Sequence, residues 1–459
     1  MSSTKPPSGT RDFLPDDVRR REHVVGVVRD VYERYGFEPL ETPAFENIET
    51  LIGKYGDEGN KLIFKILKRG EHESSGEADL ALRYDLTVPL ARVVAQHQND
   101  LPKFFKRYQI QPVWRADRPA RGRFREFYQC DIDSVGSKSP VVEAEQIAAV
   151  SEVMTRLGFS DFRMVLNHRG VLAGLLSIAG IAPSQHETAL VALDKFDKIG
   201  EAGVIAEFGA RQIDPLAGRQ LISILRNIFA WPQDAAPPSA VTINRVRLGE
   251  LRDLLGPTEF AGALDELAGI ADLVAETPAA EHVVVDPRLA RGLSYYTGAI
   301  MEVAVPDLAG SLGGGGRYDN LVGMFLGRDV PACGFSLGLE RIIVVMTERE
   351  MFPEALAGGA VDVMVMLWND EGRGDALALA SELRRGGLRV DVYPEADKLG
   401  KQFKYASSRH VPFVAILGDD ERARGEVAVK DLRSAAQVPV PRAQVAAFIR
   451  GRLAPETGR

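Results

Sequence analysis

Between two strand-like runs, residues 104–114 and 124–133, the chain carries Arg115-Ala-Asp117-Arg118-Pro-Ala-Arg121-Gly-Arg123. That insert is too polar for the interior of a sheet, so it reads as a long hairpin loop joining two paired strands. Further strand-like runs at 164–166, 283–285 and 300–305 extend the expectation to a mixed, mostly antiparallel sheet. Helices flank it. Pro15-Asp16-Asp17 signals a helix start, Val24, Val27, Val28, Val31, Tyr32 and Tyr35 recur at helical spacing, and Gly36 is the stop. A second amphipathic helix runs through Ile147, Val150, Met154 and Leu157 to Gly158.

The remaining pattern divides the chain. Residues from about 183 to about 274 are helical, rich in Ala and Leu, and read as an inserted helical domain. A helix begins at Leu339, and residues 355–360 read as a linker. Strand patterns at 361–367, 388–393 and 413–417 then alternate with helix patterns at 376–385 and 401–408. Such alternation predicts a small α/β domain over 361–459 with a largely parallel sheet. The expected organisation is a catalytic α+β domain over 1–354 with its insertion, the linker, and this α/β domain.

Bulk properties exclude several classes. No apolar run approaches the length of a membrane span. The N-terminus, Met-Ser-Ser-Thr-Lys-Pro-Pro, has no apolar signal core, which predicts a cytoplasmic protein. Cys130 and Cys333 are the only cysteines and the seven histidines are scattered, so neither a disulfide scaffold nor a structural zinc site is expected. The net charge of -8 runs against a nucleic-acid binder taken as a whole. RNA, however, is met by local patches. One patch holds five arginines between 115 and 125, and the other holds Lys398, Lys401, Lys404 and Arg409. For each, a solvated charged face is the competing reading.

The site chemistry centres on Arg291-Gly-Leu-Ser-Tyr295-Tyr296-Thr-Gly298. A permanent cation and two tyrosines, bounded by glycines, suit a flat polar ligand beside an anionic group; an ordinary strand with packed tyrosines is the alternative. No GxxxxGK[ST] occurs, so a bound nucleotide must be gripped by side chains, and arginines bind phosphate oxygens bidentately. Gly313-Gly-Gly-Gly316 is not a P-loop and taken alone reads as a flexible turn.

These segments resemble a known family. Residues 114–129 and Gly334-Phe-Ser-Leu-Gly-Leu-Glu340-Arg341 look like motifs 2 and 3 of the class II aminoacyl-tRNA synthetases, and residues 36–43, ending in Pro43, look like motif 1. Four further segments narrow the resemblance to the histidyl-tRNA synthetase family. They are Gly9-Thr-Arg11-Asp12, Leu82-Arg83-Tyr84-Asp85-Leu86-Thr87, residues 291–298, and Lys398-Leu-Gly-Lys401-Gln-Phe-Lys404-Tyr405. The order of the motifs over nearly the whole chain is what makes the match specific.

The resemblance implies a two-step ligase that joins L-histidine to tRNA(His) through an adenylate formed from ATP. Arg115, Arg291 and Arg341 would carry catalysis. Asp117, Arg123 and Phe127 would join Arg115 and Arg341 around ATP, with Mg2+ on the outer phosphates. Asp85, Leu86, Thr87, Gln129, Asp133, Tyr295 and Tyr296, with Arg115 and Arg291, would hold histidine. Arg121 and Lys398, Lys401 and Lys404 would meet tRNA. The glycine run would form a backbone wall beside the amino-acid pocket, and motif 1 would build a homodimer. Asp117 stands where class II enzymes generally have Glu, and Ser294 where many histidyl enzymes have Asp. The competing function is a non-catalytic paralogue, the histidine-sensing regulatory subunit of ATP phosphoribosyltransferase. Such a paralogue is expected to lose the ATP-binding arginines or the C-terminal domain, and both are present here.

Overall fold

The computed structural model describes residues 4–54, 61–68, 70, 75–228, 238–290, 295–353, 356 and 359–453. They fall into two compact units, Met1–Met351 and Phe352–Arg459. In the first, β1 (Glu38–Pro39) is followed by β2 (Phe45–Asn47), β3 (Lys65–Leu67) and β4 (Ala78–Leu82). Strands β2, β4 and β3 make a small antiparallel sheet. Strands β5 (Phe105–Trp114), β6 (Glu126–Val135), β7 (Arg163–His168), β8 (Val283–Val285), β9 (Ala299–Ala304), β10 (Ser311–Arg317) and β11 (Ala332–Gly338) join β1 in the main sheet. Its order is β1-β5-β6-β11-β10-β9-β7-β8. The outermost pairs, β1–β5 and β7–β8, are parallel and the rest antiparallel. The polar insert 115–123 connects β5 to β6 as a hairpin loop, pinched by the bridge Ala120–Arg123.

Local chemistry explains the flanking helices. Helix Pro15–Arg34 starts on a proline with Asp16 and Asp17 in its first turn and buries Val24, Val28, Val31 and Tyr32. It stops at Gly36, whose φ of +74° suits a residue without Cβ. The Tyr32 hydroxyl donates to the Cys130 carbonyl on β6 (3.2 Å) and so pins the helix to the sheet. Arg83, buried after β4, ties the motif 1 segment in place. Its Nη1 donates to the Thr42 and Pro43 carbonyls (2.6 and 3.0 Å), and its Nε to the Pro112 carbonyl (2.8 Å). It is a strut, not a ligand-facing residue. Between β7 and β8 lie helices His186–Leu193, Phe196–Ala210, Pro215–Ile228, Ala240–Leu255 and Ala261–Ala275. Among the described residues, no helix is long and apolar enough to cross a membrane.

The glycine run is neither turn nor loose loop: residues 313–316 run through β10, inside the sheet. A Cβ on Gly315 would lie 2.2 Å from the Gly334 carbonyl oxygen on β11, so only glycine permits this approach of strands. Because glycine has low strand propensity, the run does not announce itself as a strand.

In the second unit, β12 (Val363–Val365), β13 (Val390–Val392), β14 (Phe413–Ile416), β15 (Glu426–Asp431) and β16 (Gln437–Pro441) form a sheet in the order β13-β12-β14-β15-β16. Helices Arg373–Arg385, Leu399–Ser408 and Val445–Leu453 accompany it. The expectation of a largely parallel sheet needs correcting. Pairs β13–β12 and β12–β14 are parallel, but β14–β15–β16 is antiparallel. Pro439 and Pro441 hide β16 from a pattern reading, since proline lowers strand expectation; both are tolerated because β16 is an edge strand. Of the linker expected at 355–360, residues 355, 357 and 358 lie outside the described residues.

Candidate active site

One cavity of about 620 Å³ opens over the middle of the main sheet, lined by β6, β10, β11 and the β5–β6 hairpin. Strand alternation puts every second residue of β6 on one face, and Gln129, Asp131 and Asp133 all line the cavity. Their cross-strand partners on β5 and β11 complete its floor. Asp133 pairs with Arg107 and Gly334, and Asp131 with Gln109 and Ser336. A Cβ on Gly334 would sit 1.9 Å from Asp133 Oδ1, so this glycine makes room for the carboxylate.

The floor is charged and almost closed to water. Arg107 is fully buried, with Nη2 2.8 Å from Asp133 Oδ2 and 3.9 Å from Asp131 Oδ2. The same guanidinium donates to the Leu86 carbonyl (3.2 Å). Tyr318 donates to the other Asp133 oxygen, Oδ1. Gln129 Nε2 donates to the Ser336 hydroxyl (2.7 Å), which in turn bonds the Asp131 carboxylate. Burial pushes both Asp131 and Asp133 well above the usual carboxylate range; Arg107 opposes the shift in both, and neighbouring carboxylates add to it. Asp85, also buried, caps helix Thr87–Gln96 by accepting from the Val88 amide (3.1 Å). Its other oxygen meets the Tyr295 hydroxyl at 3.4 Å. Tyr296 stands edge-on to Tyr295 with ring centroids 5.1 Å apart. Burial raises the Tyr296 pKa, reinforced by the charges around it, so the phenol stays neutral.

At the other end lie the arginines. Arg115 donates from Nε to the Tyr84 carbonyl (3.0 Å) and stacks over the Tyr84 ring at 4.2 Å, with Phe127 5.2 Å away. Arg341, at the start of helix Leu339–Glu348, reaches the Gly122 carbonyl (3.4 Å) and the Ser311 carbonyl. Arg123 pairs with Asp117 at 2.6 Å. The buried Glu340 bridges elements, accepting from Arg21 Nη1 (2.7 Å) and from the Tyr128 amide (2.8 Å). Arg121 is engaged by Glu348, at 3.0 Å from Nε, and by the Asp307 carbonyl (3.1 Å).

Thus Asp85, Thr87, Arg115, Asp117, Arg121, Arg123, Phe127, Gln129, Asp133, Tyr295, Tyr296 and Arg341 share one cavity. Leu86 is buried behind it and contributes through its carbonyl. Arg291 and Ser294 lie outside the described residues. Lys398, Lys401 and Lys404 belong to the second unit, on or just before helix Leu399–Ser408; all are exposed, and Lys401 pairs with Asp397 (2.7 Å). Sequence reasoning missed Asp131, Arg107, Tyr318, Ser336 and Glu340. For Asp131 a signal existed, since it lies between Gln129 and Asp133 at strand period. For Arg107 none did, since an arginine beside Lys106 in a half-polar strand looks like a solvent-facing residue.

A mostly antiparallel sheet bearing an arginine-rich hairpin on one pair of strands and an arginine-headed helix after the next defines a class II aminoacyl-tRNA synthetase. A family model described as histidyl-tRNA synthetase matches residues 9–342, and one described as anticodon binding domain matches residues 362–452. The chain belongs to the histidyl-tRNA synthetase family. It is 40% identical to a histidine–tRNA ligase of Flavobacterium johnsoniae, covering 95% of this chain and 96% of the relative. It is equally 40% identical to one of Porphyromonas gingivalis, covering 96% and 98%. Among solved structures it is similar to the histidyl-tRNA synthetase of Nostoc sp. PCC 7120, at 33% identity and TM-score 0.80 over 99% of this chain and 100% of that one. It also shares the fold of an ATP phosphoribosyltransferase regulatory subunit/histidyl-tRNA synthetase from Bacillus halodurans C, at 23% identity and TM-score 0.71 over 91% and 99%.

Proposed function

We infer that this chain ligates L-histidine to tRNA(His), forming histidyl-adenylate from ATP with release of pyrophosphate and then passing the histidyl group to the tRNA 3′ end. The observation that carries this reading is the shared cavity, with arginines at one end and buried carboxylates with two tyrosines at the other. In the first step the histidine carboxylate attacks the α-phosphorus and the bond to pyrophosphate breaks. The nucleophile is already an anion, so no general base is required. What is required is positioning and charge neutralisation, and arginines supply both. In this assignment Arg115 faces the α-phosphate, Phe127 stacks on adenine, and Arg341 and Arg123 hold the outer phosphates. Mg2+ enters with ATP as part of the substrate. Asp85, Thr87, Gln129, Asp133, Tyr295 and Tyr296 hold the amino acid, and Arg291 joins them on the strength of its motif alone. The homodimer through residues 36–43 and the cytoplasmic location belong to the same proposal. The regulatory-subunit alternative has less support, because relatives 40% identical over nearly the full length are named histidine–tRNA ligases.

Histidine-dependent exchange of pyrophosphate into ATP tests the reading. Histidine is expected to support exchange and the other amino acids are not. Equal exchange with another amino acid, or none with any, would reject it.

A second expectation concerns helix Leu399–Ser408. Lys401→Ala with Lys404→Ala should weaken tRNA binding and reduce the slope of log affinity against log salt by about 1 for each phosphate no longer neutralised. Pyrophosphate exchange should be unaffected. The Lys401–Asp397 pair is exposed, so its loss should cost little stability. Wild-type affinity and salt slope in the double variant would leave these lysines as a solvated face.

A further inference from the structure

The floor of the cavity holds more acid than the assigned roles use. Asp85 and Asp133 are placed at the substrate, but Asp131 lies between Gln129 and Asp133 on the same face of β6 and is only 1% exposed. Among the described residues, its Oδ1 has no hydrogen-bond partner, and neither does Oε1 of the adjoining Gln129. Buried acceptors left empty cost free energy unless something fills them, so a floor of this kind is built for a donor. The surrounding charges point the same way. Facing Asp131 are Arg107 at 3.9 Å and, farther off, Arg83 as cations, with Asp133 and Asp85 as anions. Tyr32 and Tyr296 face it too, but burial raises both and keeps them neutral. Arg83 is engaged by the carbonyls of Thr42, Pro43 and Pro112, so Arg107 stands against three carboxylates lining the cavity.

We propose that Asp131 is a specificity-determining residue for the amino acid, completing an anionic floor that accepts a substrate bearing two nitrogen donor groups, an ammonium and a ring N–H. Neutral aromatic amino acids of similar shape leave that floor unpaired and are rejected. The inference rests on the ligase reading above and deepens it. The Asp131 carboxylate acts directly or by holding Gln129 and Ser336 in their bonded arrangement. Either way its charge is what the substrate reads.

The protonation chemistry gives the test its signature. Burial raises the Asp131 and Asp133 carboxyls together, against the pull of Arg107, so the floor takes up protons at a higher pH than free carboxylates do. The native state therefore keeps a proton over a pH range in which the unfolded chain has lost it. Stability attached to Asp131 is present at low pH and lost as pH rises from the ordinary carboxylate range through the raised native value. Asp131→Asn keeps the shape and removes the charge. With the full-length chain, the expected result at pH 8 is a rise of about tenfold or more in both the KM for histidine in pyrophosphate exchange and the calorimetric Kd for histidine without ATP. The kcat should change little and the Tm should rise. The ratio of variant to parent KM should shrink toward one as pH falls from 8 toward the ordinary carboxylate range; histidine's own titration is common to both and cancels in the ratio. A neutral thiazole analogue of histidine should gain on histidine in the variant. A ratio near one at every pH would overturn the proposal. So would joint loss of kcat, affinity and Tm, which would make Asp131 a structural post. If the parent shows no histidine-dependent exchange, the ligase reading falls first and this inference with it.

Discussion

Arg115→Ala is expected to slow histidyl-adenylate formation by about 10²- to 10³-fold, the scale of losing one preorganised charge-stabilising donor. Negative charge is redistributed about the α-phosphorus as the carboxylate attacks, and a cation held in place costs no reorganisation at that moment. Arg115 is held in place: its Nε is tethered to the Tyr84 carbonyl at 3.0 Å and its Cζ lies 4.2 Å from the Tyr84 ring centroid. Histidine affinity should change far less, because the buried carboxylates at the other end of the cavity remain. Single-turnover adenylate formation, followed by chemical quench, measures the step directly. A rate within about threefold of the parent would remove Arg115 from the catalytic set, whatever happens to overall charging. Arg115→Lys should recover only part of the rate, since an ammonium lacks the planar fork.

Glu143→Ala should destabilise the first unit by about 3 kcal/mol, because it removes the two-pronged partner of the buried Arg317 guanidinium and leaves only Asp319 (3.2 Å) and the Ser137 carbonyl (3.0 Å) on Nη1. The two side chains meet through a double contact of 2.6 and 2.8 Å, Arg317 at the end of β10 and Glu143 on helix Val141–Arg156. Burial alone would lower the Arg317 pKa; the hydrogen bonds and charge of Glu143 outweigh it and raise the pKa. Gln146 on the same helix donates to the Cys333 carbonyl (2.8 Å), so the helix is fastened to both β10 and β11. Such a loss is a large part of the 5–15 kcal/mol that holds a typical domain. Urea unfolding should show a lower midpoint. The double variant Glu143→Ala with Arg317→Met should recover part of the loss, because both charges are then gone. An unchanged midpoint in the single variant would mean that water reaches Arg317 and the pair is not buried in solution.

The two residues tested above were unequally legible in the sequence. Arg115 stands in a polar insert between strand-like runs, where local pattern marks a charged loop, and the resemblance of that loop to motif 2 implies its role at the phosphate. Glu143 and Arg317 are 174 residues apart, and nothing in either local segment names the other. The same contrast divides the cavity. Asp85, Gln129, Asp133, Tyr295 and Tyr296 lie in short, ordered motifs whose resemblance to a family is readable. Arg107 lies in a half-polar strand beside Lys106, and its burial depends on β6 being paired beside β5 with Asp133 directly opposite.

By itself the sequence determined part of the elements: the start and stop of the first helix, several strand-like runs, the polar hairpin that interrupts one pair of them, and that side chains rather than a P-loop must grip any nucleotide. These follow from periodicity, capping and residue chemistry, which act over a few residues. Only the tertiary structure decided what those elements enclose. Gly313 to Gly316 became an interior strand whose neighbours approach too closely for a Cβ at Gly313, Gly315 and Gly316. The strand Gln437–Pro441 became an edge because only there are its prolines free of a lost ladder bond. Three carboxylates that look like surface residues one at a time became one buried floor against Arg107, with Asp131 and Asp133 raised together by burial. Burial and charge coupling depend on what lies across a strand or beneath a loop, and those neighbours are set by the fold and not by adjacent residues.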